Sequence, residues 1–279
     1  MQGSSSQLED LFLTKPECII DLPERLLPLG KIREYQGISH LAMVEIAGRD
    51  SVAAAIKGVE ENEFTDLIPT YAYTGTEYGP WSSMARAVRR LAERLPQTRV
   101  HDPLVMGSPG FWQALNGRFI SELISRYGFY TPCVGCHLYL HSVRIPLALS
   151  LRNIPIITGE RERHNGDIKI NQTSEVLDFY QRLAEFFNIE LLMPLRHVSE
   201  GKQIEEILGF EWHQGREQLD CVLSGNYRRL GKKNALDIQS VKIFLEDFAV
   251  PCSKEIIESY VSGEIPDHIP IAARILSGT

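Results

Sequence analysis

Leu41-Ala42-Met43-Val44-Glu45-Ile46-Ala47-Gly48-Arg49-Asp50-Ser51 is the stretch on which the fold turns. Leu41 to Ile46 reads as a strand and Ala47 to Arg49 as a turn. Asp50 to Glu61 reads as a helix with Asp50 or Ser51 near its N-cap. Gly48 permits a tight turn and a close approach of the backbone to a ligand. The free N–H groups that open a helix, together with its dipole, favour an anion. Arg49 adds positive charge there, and the Ser51 hydroxyl is placed to donate to a phosphate oxygen. A plain strand-to-helix turn is the competing reading of so short a motif.

Outward from this unit the pattern repeats. Leu67 to Tyr73 reads as a second strand, and Pro80 to Leu95 as a helix with proline at its start. Arg99 to Met106 reads as a third strand interrupted by Pro103, followed by a helix over Gly110 to Tyr127. A loop with Cys133 and Cys136 comes next, then a helix from about Leu138 to Leu151 that Pro146 should kink or restart. Ile154 to Thr158 and Ile189 to Met193 are the fourth and fifth strands, with a helix over Glu175 to Phe187 between them. Ser199 to Thr279 reads mostly helical, with breaks at Ser224-Gly225-Asn226 and Gly231. Strands alternating with helices imply right-handed βαβ units and a parallel sheet. The expectation is an α/β fold in three parts: an N-terminal extension over 1–36 with a short helix around Pro23 to Leu27, an α/β domain over 37–200, and a helical C-terminal region over 201–279. In such sheets ligands bind at the carboxyl ends of the strands. Chemistry is therefore expected in the loops after Ile46, Tyr73, Met106, Ile157 and Met193.

Composition narrows the function. With 29 basic and 36 acidic side chains the net charge is -7, which excludes a globally basic nucleic-acid binder. A local patch remains open: four cations fall within 228–233, in Arg228-Arg229-Leu230-Gly231-Lys232-Lys233, and a solvated face is the equal alternative. Trp81, Trp112 and Trp212 are scattered and read as core. Five cysteines are too few for a secreted disulfide scaffold. Met1 to Pro16 has no basic and apolar signal-peptide pattern, and no apolar run is long enough to span a membrane. The cytoplasm is the expected compartment, where clustered cysteines point to metal or catalysis.

Thr131-Pro132-Cys133-Val134-Gly135-Cys136-His137-Leu138-Tyr139-Leu140-His141 is the most informative stretch for chemistry. Cys133 to His137 spells the Cys-x-x-Cys-His of c-type haem attachment, but that chemistry needs export. Cys133, Cys136, His137 and His141 could form a closed zinc site, with His137 and His141 on one helical face. Adjacent Cys136 and His137 seldom share one ion comfortably, and the spacing is not that of a zinc finger. Cys133 and Cys136 could instead join a remote cysteine around an iron–sulfur cluster. Cys18, Cys221 and Cys252 are available, and Cys221 stands just after the sheet region. Two packed thiols and two ordinary histidines are the bland alternative.

The first loop resembles that of the PP-loop ATP pyrophosphatases, which carry Ser-Gly-Gly-x-Asp-Ser after their first strand. Gly48, Asp50 and Ser51 keep that register, and Ala47 stands where a Gly or Ser would. The order Cys133, Cys136, Cys221 resembles that of the iron–sulfur-dependent tRNA thiolation branch of the superfamily, and Arg144 matches its basic helix. Thr158-Gly159 resembles the turn that lines the nucleotide pocket. Glu160-Arg161-Glu162-Arg163-His164 departs from the branch's Asn/Asp-rich continuation and reads equally as a solvated loop. Pro194, Leu195, Lys202 and Glu205 match loosely, with Arg196 or Lys202 facing a phosphate.

The resemblance implies a five-stranded parallel sheet of HUP type, ordered 3-2-1-4-5. It implies ATP, with Mg²⁺ on its phosphates, bound by Ala47, Gly48, Arg49, Asp50, Ser51, Tyr73, Thr158 and Gly159. It implies a 4Fe-4S cluster on Cys133, Cys136 and Cys221, with Asp50 and these cysteines as the catalytic residues. The implied reaction adenylates a substrate oxygen and replaces it with sulfur, releasing AMP and pyrophosphate. Its partners would be ATP, a sulfur donor and either tRNA or a small molecule; a homodimer is compatible with it. A zinc-containing ligase or amidase of the same superfamily and a nucleotide-binding regulatory module are the alternatives.

Overall fold

A computed structural model describes residues 27–80, 82–213, 217–225 and 237–278. In chain order it runs α1 (Leu29–Gln36), β1 (Leu41–Glu45), α2 (Arg49–Asn62), β2 (Asp66–Ala72), β3 (Glu77–Tyr78) and α3 (Ser82–Arg94). Then come β4 (Arg99–Val100), β5 (Leu104–Met106), α4 (Pro109–Asn116), α5 (Ile120–Tyr127), α6 (Pro132–Ser142) and α7 (Ile145–Ser150). β6 (Ile156–Ile157), a 3₁₀ turn over Ile170–Gln172, α8 (Ser174–Phe186), β7 (Leu191–Leu192) and α9 (Gly201–Leu208) follow. β8 (Asp220–Cys221), α10 (Ile238–Phe244), a π-helical turn over Leu245–Ala249, α11 (Val250–Val261) and α12 (His268–Ser277) are the remaining elements.

β1 lies at the centre of a parallel sheet, paired with β2 on one side and β6 on the other. Side chains alternate across it with period two. Leu41, Met43, Ile68 and Ile156 enter the core on one face, whereas Ala42, Val44, Leu67 and Ile157 enter the core on the other. α2, α3 and α9 cover the second face, and α4 to α8 the first. α10 to α12 pack against that first layer, so the helical C-terminal residues deepen one core and do not cap the sheet edge.

The sheet has six strands in the order β4-β2-β1-β6-β7, with β5 also on β2, where five were expected. The expected third strand is divided into β4 and β5. Leu67 pairs with Val100 and Thr70 with Leu104, so Ile68 and Pro69 face three residues that end in Pro103. The extra residue makes the edge strand bulge, and neither proline has an N–H to bridge the gap.

Other elements also differ from expectation. α1 lies inside the expected loose extension and buries Ile32 and Tyr35. Pro23 to Leu26 of the expected short helix, Trp81, Cys18 and the 228–233 cluster lie outside the described residues. The single helix expected over 110–127 is two, because Gly117 and Arg118 both donate to the Gln113 carbonyl and close α4. The helix expected from Leu138 begins at Pro132, and Pro146 sits in the first turn of α7, after the break at Val143. Among the described residues no helix is long and apolar enough to cross a membrane.

Candidate functional site

Two adjoining cavities open at the carboxyl edge of the sheet. The first, about 330 Å³, is lined by Cys133, Cys136 and Cys221 together with Trp112, Glu77 and Arg144. The second, about 450 Å³, is lined by Ala47, Gly48, Arg49, Asp50 and Ser51 on one side and by Thr158, Gly159, Glu160 and Arg161 on the other. Glu45, Ala47, His137, Lys169 and Leu219 border both.

The second cavity is the loop–helix unit read from the sequence. Ser51 Oγ accepts from the Ala47 and Gly48 N–H groups at 2.9 and 3.0 Å and donates to the Gly48 carbonyl at 2.7 Å. The hydroxyl thus braces the turn that lines the cavity. Gly159 is required by close approach: a Cβ there would stand 2.6 Å from Ser51 N and 2.8 Å from the Asp50 carbonyl carbon. Asp50 accepts from Arg49 Nε at 3.0 Å and from Arg161 Nε at 2.9 Å. Arg161 Nη2 also donates to His164 Nδ1 at 2.9 Å, and His164 Nε2 donates to Gln172 Oε1 at 2.6 Å. Burial, Lys169 and Arg161 lower the His164 pKa to about 4 and keep the ring neutral, which suits this pattern.

Thr131 and Pro132 start α6, the Thr131 hydroxyl accepting from Cys133 N at 3.4 Å. Cys133 and Cys136 therefore stand on the first turns of a helix, not in a loop. Cys221 arrives from 85 residues further along through an antiparallel pairing of β8 with β3, opposite Glu77. Trp112 Nε1 donates to Cys136 Sγ at 3.3 Å, which corrects the reading of Trp112 as core alone. Leu223 N donates to Cys221 Sγ at 3.4 Å, and Thr76 Oγ1 lies 3.2 Å from the same sulfur. Burial pushes the Cys136 thiol up, and the neighbouring Cys221 and Cys133 add to it. Cys252 is fully buried among apolar side chains of α11, away from both cavities, and burial pushes its thiol up to about 12.

Between the cavities runs a buried chain of charges. Glu160 Oε1 lies 2.7 Å from His137 Nδ1 and 3.2 Å from His141 Nε2, and Gln172 donates to Glu160 Oε2. Glu45 Oε2 lies 3.3 Å from His141 Nδ1 and 3.5 Å from Arg144 Nη1. Arg144 is anchored by Thr70, its Nε donating to Oγ1 at 2.8 Å and its Nη2 to the carbonyl at 3.3 Å. Burial works against the His141 charge, but Glu160 and Glu45 overcome it and raise its pKa to about 9. Burial likewise opposes the charge on Glu160, but His137 and His141 hold its carboxyl well below the usual range.

Several expected residues stand elsewhere. Tyr73 is not brought to either cavity; its ring packs in the core on the α2 face, while Ala72 and Thr74 line the thiol cavity. Arg196 is held by Glu162, Gln181 and Asp178, and Lys202 pairs with Glu206 at the surface, so neither faces a cavity. The solvated reading of the 160–164 run fails at its start, where Glu160 and Arg161 are buried. Glu45, Glu77, Lys169 and Gln172 were not read as site residues. Of these, Glu45 carried a signal: a lone carboxylate in an otherwise apolar strand.

No protein-family model matches the chain. A curated relative, the uncharacterized protein MJ0009 of Methanocaldococcus jannaschii, is 43% identical over 247 residues, which is 85% of this chain and 89% of that protein. Among solved structures, the U34-tRNA thiolase NcsA from Methanococcus maripaludis with its 4Fe-4S cluster is similar at a TM-score of 0.40. The two are 15% identical over 95% of this chain and 82% of that one.

Proposed function

We propose that this chain, which belongs to the same family as the Methanocaldococcus jannaschii protein MJ0009, is an ATP-dependent sulfurtransferase that releases AMP and pyrophosphate. The observation that carries this reading is the adjacency of two chambers: the three thiols of Cys133, Cys136 and Cys221 line one, and the 47–51 loop lines the next.

ATP occupies the second cavity, with its phosphates at the N-terminus of α2 and Mg²⁺ carried on them. The helix dipole and the Arg49 guanidinium favour the anion there. A carbonyl oxygen of the substrate, a tRNA base or a small molecule, attacks the α-phosphorus. The bond to pyrophosphate breaks, and the oxygen becomes part of an AMP leaving group. A sulfide supplied by an external donor attacks the carbon, the C–O bond breaks, and AMP departs with the oxygen. Asp50 fixes Arg49 and Arg161 at the phosphate end, and positioning and charge stabilisation supply the rate.

Cys133, Cys136 and Cys221 fit a 4Fe-4S cluster. The Trp112 and Leu223 N–H groups donate to two of the sulfurs, and a buried thiolate such as that of Cys136 needs a cationic partner. Held by three thiolates, such a cluster has one iron open to a small sulfur ligand.

Anaerobic purification and reconstitution test this directly. The expected protein is brown, absorbs near about 400 nm and carries about four irons per chain. It releases pyrophosphate from ATP when substrate and sulfide are present. A colourless protein without iron after reconstitution, or ATP binding with no pyrophosphate from any sulfide-containing mixture of tRNA and carbonyl substrates, would overturn the reading.

A further inference from the structure

The wall between the cavities is itself made of ligand atoms. One ligand atom from each of His137, His141 and Glu160 lies within 4.8 Å of the other two. Glu160 Oε1 is 2.7 Å from His137 Nδ1 and 3.2 Å from His141 Nε2. Two ligands on one tetrahedral centre stand about 3.3 Å apart when each bond is about 2.05 Å. The His141 pair is at that spacing, and the His137 pair, a hydrogen bond without the ion, would open by about 0.6 Å to admit it. We propose that this triad binds a divalent transition-metal ion, zinc being the best match, as a metal centre separate from the three cysteines.

The side chains are of the right kind and number. Two imidazoles and one carboxylate suit zinc, cobalt or nickel over magnesium or calcium. Three protein ligands leave a coordination position for water or a substrate atom. His137 and His141 are four residues apart on α6 and so share one face. His137 borders both cavities, so the ion is reachable from either.

The surroundings are those of a metal site. A ligating histidine ordinarily hands its other ring nitrogen to a carboxylate, and Glu45 Oε2 lies 3.3 Å from His141 Nδ1. Gln172 holds Glu160 Oε2, which leaves Oε1 for the ion.

A second observation points the same way. His141 Nδ1, His141 Nε2 and Glu45 Oε2 are buried with no hydrogen bond of acceptable geometry, although their neighbours stand at ion-pair distance. Buried polar atoms left unpaired are rare in native proteins. An ion on Nε2 would satisfy that atom and fix the proton on Nδ1, facing Glu45. The inference does not rest on sulfur chemistry, and its test reads metal binding alone.

The full-length chain, stripped with a chelator and kept anaerobic, is titrated with Co²⁺ alone. The titration is run on the parent and on a Cys133→Ser/Cys136→Ser/Cys221→Ser variant. The expected result is one Co²⁺ site with visible d–d bands, without a thiolate-to-cobalt charge-transfer band in the variant, present in both and displaced by Zn²⁺. Glu160→Gln and His141→Gln should each weaken binding by more than tenfold, and Glu45→Gln by about 10- to 100-fold. Cys221→Ser should leave the affinity and d–d bands of this site unchanged. Should the buried variants fail to fold by circular dichroism, the partly exposed His137→Gln must still lose the ion. Absence of Co²⁺ binding at millimolar concentration would show that the triad is only an ion-pair network and overturn the inference. Binding that carries a thiolate band in the parent and is lost altogether in the triple variant would overturn it equally, by placing the ion on the cysteines.

Discussion

Arg161, on the loop after β6, and Asp50, in the first turn of α2, are joined by a 2.9 Å hydrogen bond from Nε to Oδ2. The guanidinium is buried, while the carboxylate is partly open to the cavity. Removing one partner of a buried pair strands the other charge. Asp50→Ala should therefore lower the unfolding free energy by about 3 kcal/mol, the low end for such pairs. Asp50→Asn keeps an acceptor and should cost less. Both should weaken ATP binding. Urea unfolding and calorimetric titration report the two effects, and an Asp50→Ala protein with unchanged nucleotide affinity would remove Asp50 from the phosphate site.

Gly159 and Gly48 make a contrasting pair. A methyl group on Gly159 meets the backbone of Asp50 and Ser51, which cannot move without displacing the start of α2. A methyl group on Gly48 meets the Gln218 side chain, closest at Oε1 (2.6 Å) and with Cβ at 3.3 Å, a flexible side chain and not backbone. Gly159→Ala should cost about 1–3 kcal/mol, as overpacking does. Its denaturation midpoint should fall and ATP affinity should fall with it. Gly48→Ala should be milder by both measures. Equal effects of the two would show that the loops are not in contact.

His164 supplies a pH dependence. Its pKa in the folded chain is about 4, set by burial, Lys169 and Arg161 and opposed by Gln172 and by Asp50 at 4.0 Å. An unfolded histidine titrates near 6.5. Folding thus favours the neutral ring, and the contribution is fully present above pH 6.5 and lost as the pH falls toward 4. The two values imply roughly 3 kcal/mol over that window. His164→Asn should remove this component. The urea midpoint of the variant should fall less than that of the parent between pH 7 and pH 4.5, and parallel profiles would count against it.

The cysteines separate by position. Cys133→Ser, Cys136→Ser and Cys221→Ser should each abolish or destabilise the colour obtained on anaerobic reconstitution. Cys252→Ser should leave the colour and lower stability, by about 1–3 kcal/mol for an unsatisfied buried hydroxyl. Iron content and thermal midpoints on the four variants check both halves. Loss of colour in Cys252→Ser without unfolding would reassign the ligand set.

The sequence disclosed what short-range chemistry determines. A strand, a glycine turn and a helix start are local signals, and Ala47 to Ser51 form the cavity wall they suggested. Thr131-Pro132 carried a helix-start signal, a capping hydroxyl followed by proline, yet the stretch read as a loop. Glu160 and Arg161 read as part of a solvated run because their burial depends on partners remote in sequence, among them Asp50 and His137. Where Tyr73 packs was hidden for a similar reason, since a loop residue's side chain can turn to either face of the sheet. The order of the three cysteines was legible, but the strand pairing that carries Cys221 home was not, because β3 and β8 are two residues each.

That pairing also orders events in time. The segment that becomes α6 carries Cys133 and Cys136 on neighbouring turns, whereas Cys221 is placed only once β8 has found β3. During synthesis 85 residues separate the second thiol from the third. At about 5–20 residues per second, a ribosome needs roughly 4–17 seconds to deliver it. For that interval the nascent chain presents two closely spaced thiols without their companion, a bidentate chelator open to stray ions and to oxidation into a disulfide. Assembly of the proposed three-cysteine centre would therefore depend on the pair staying reduced and vacant until Cys221 is made.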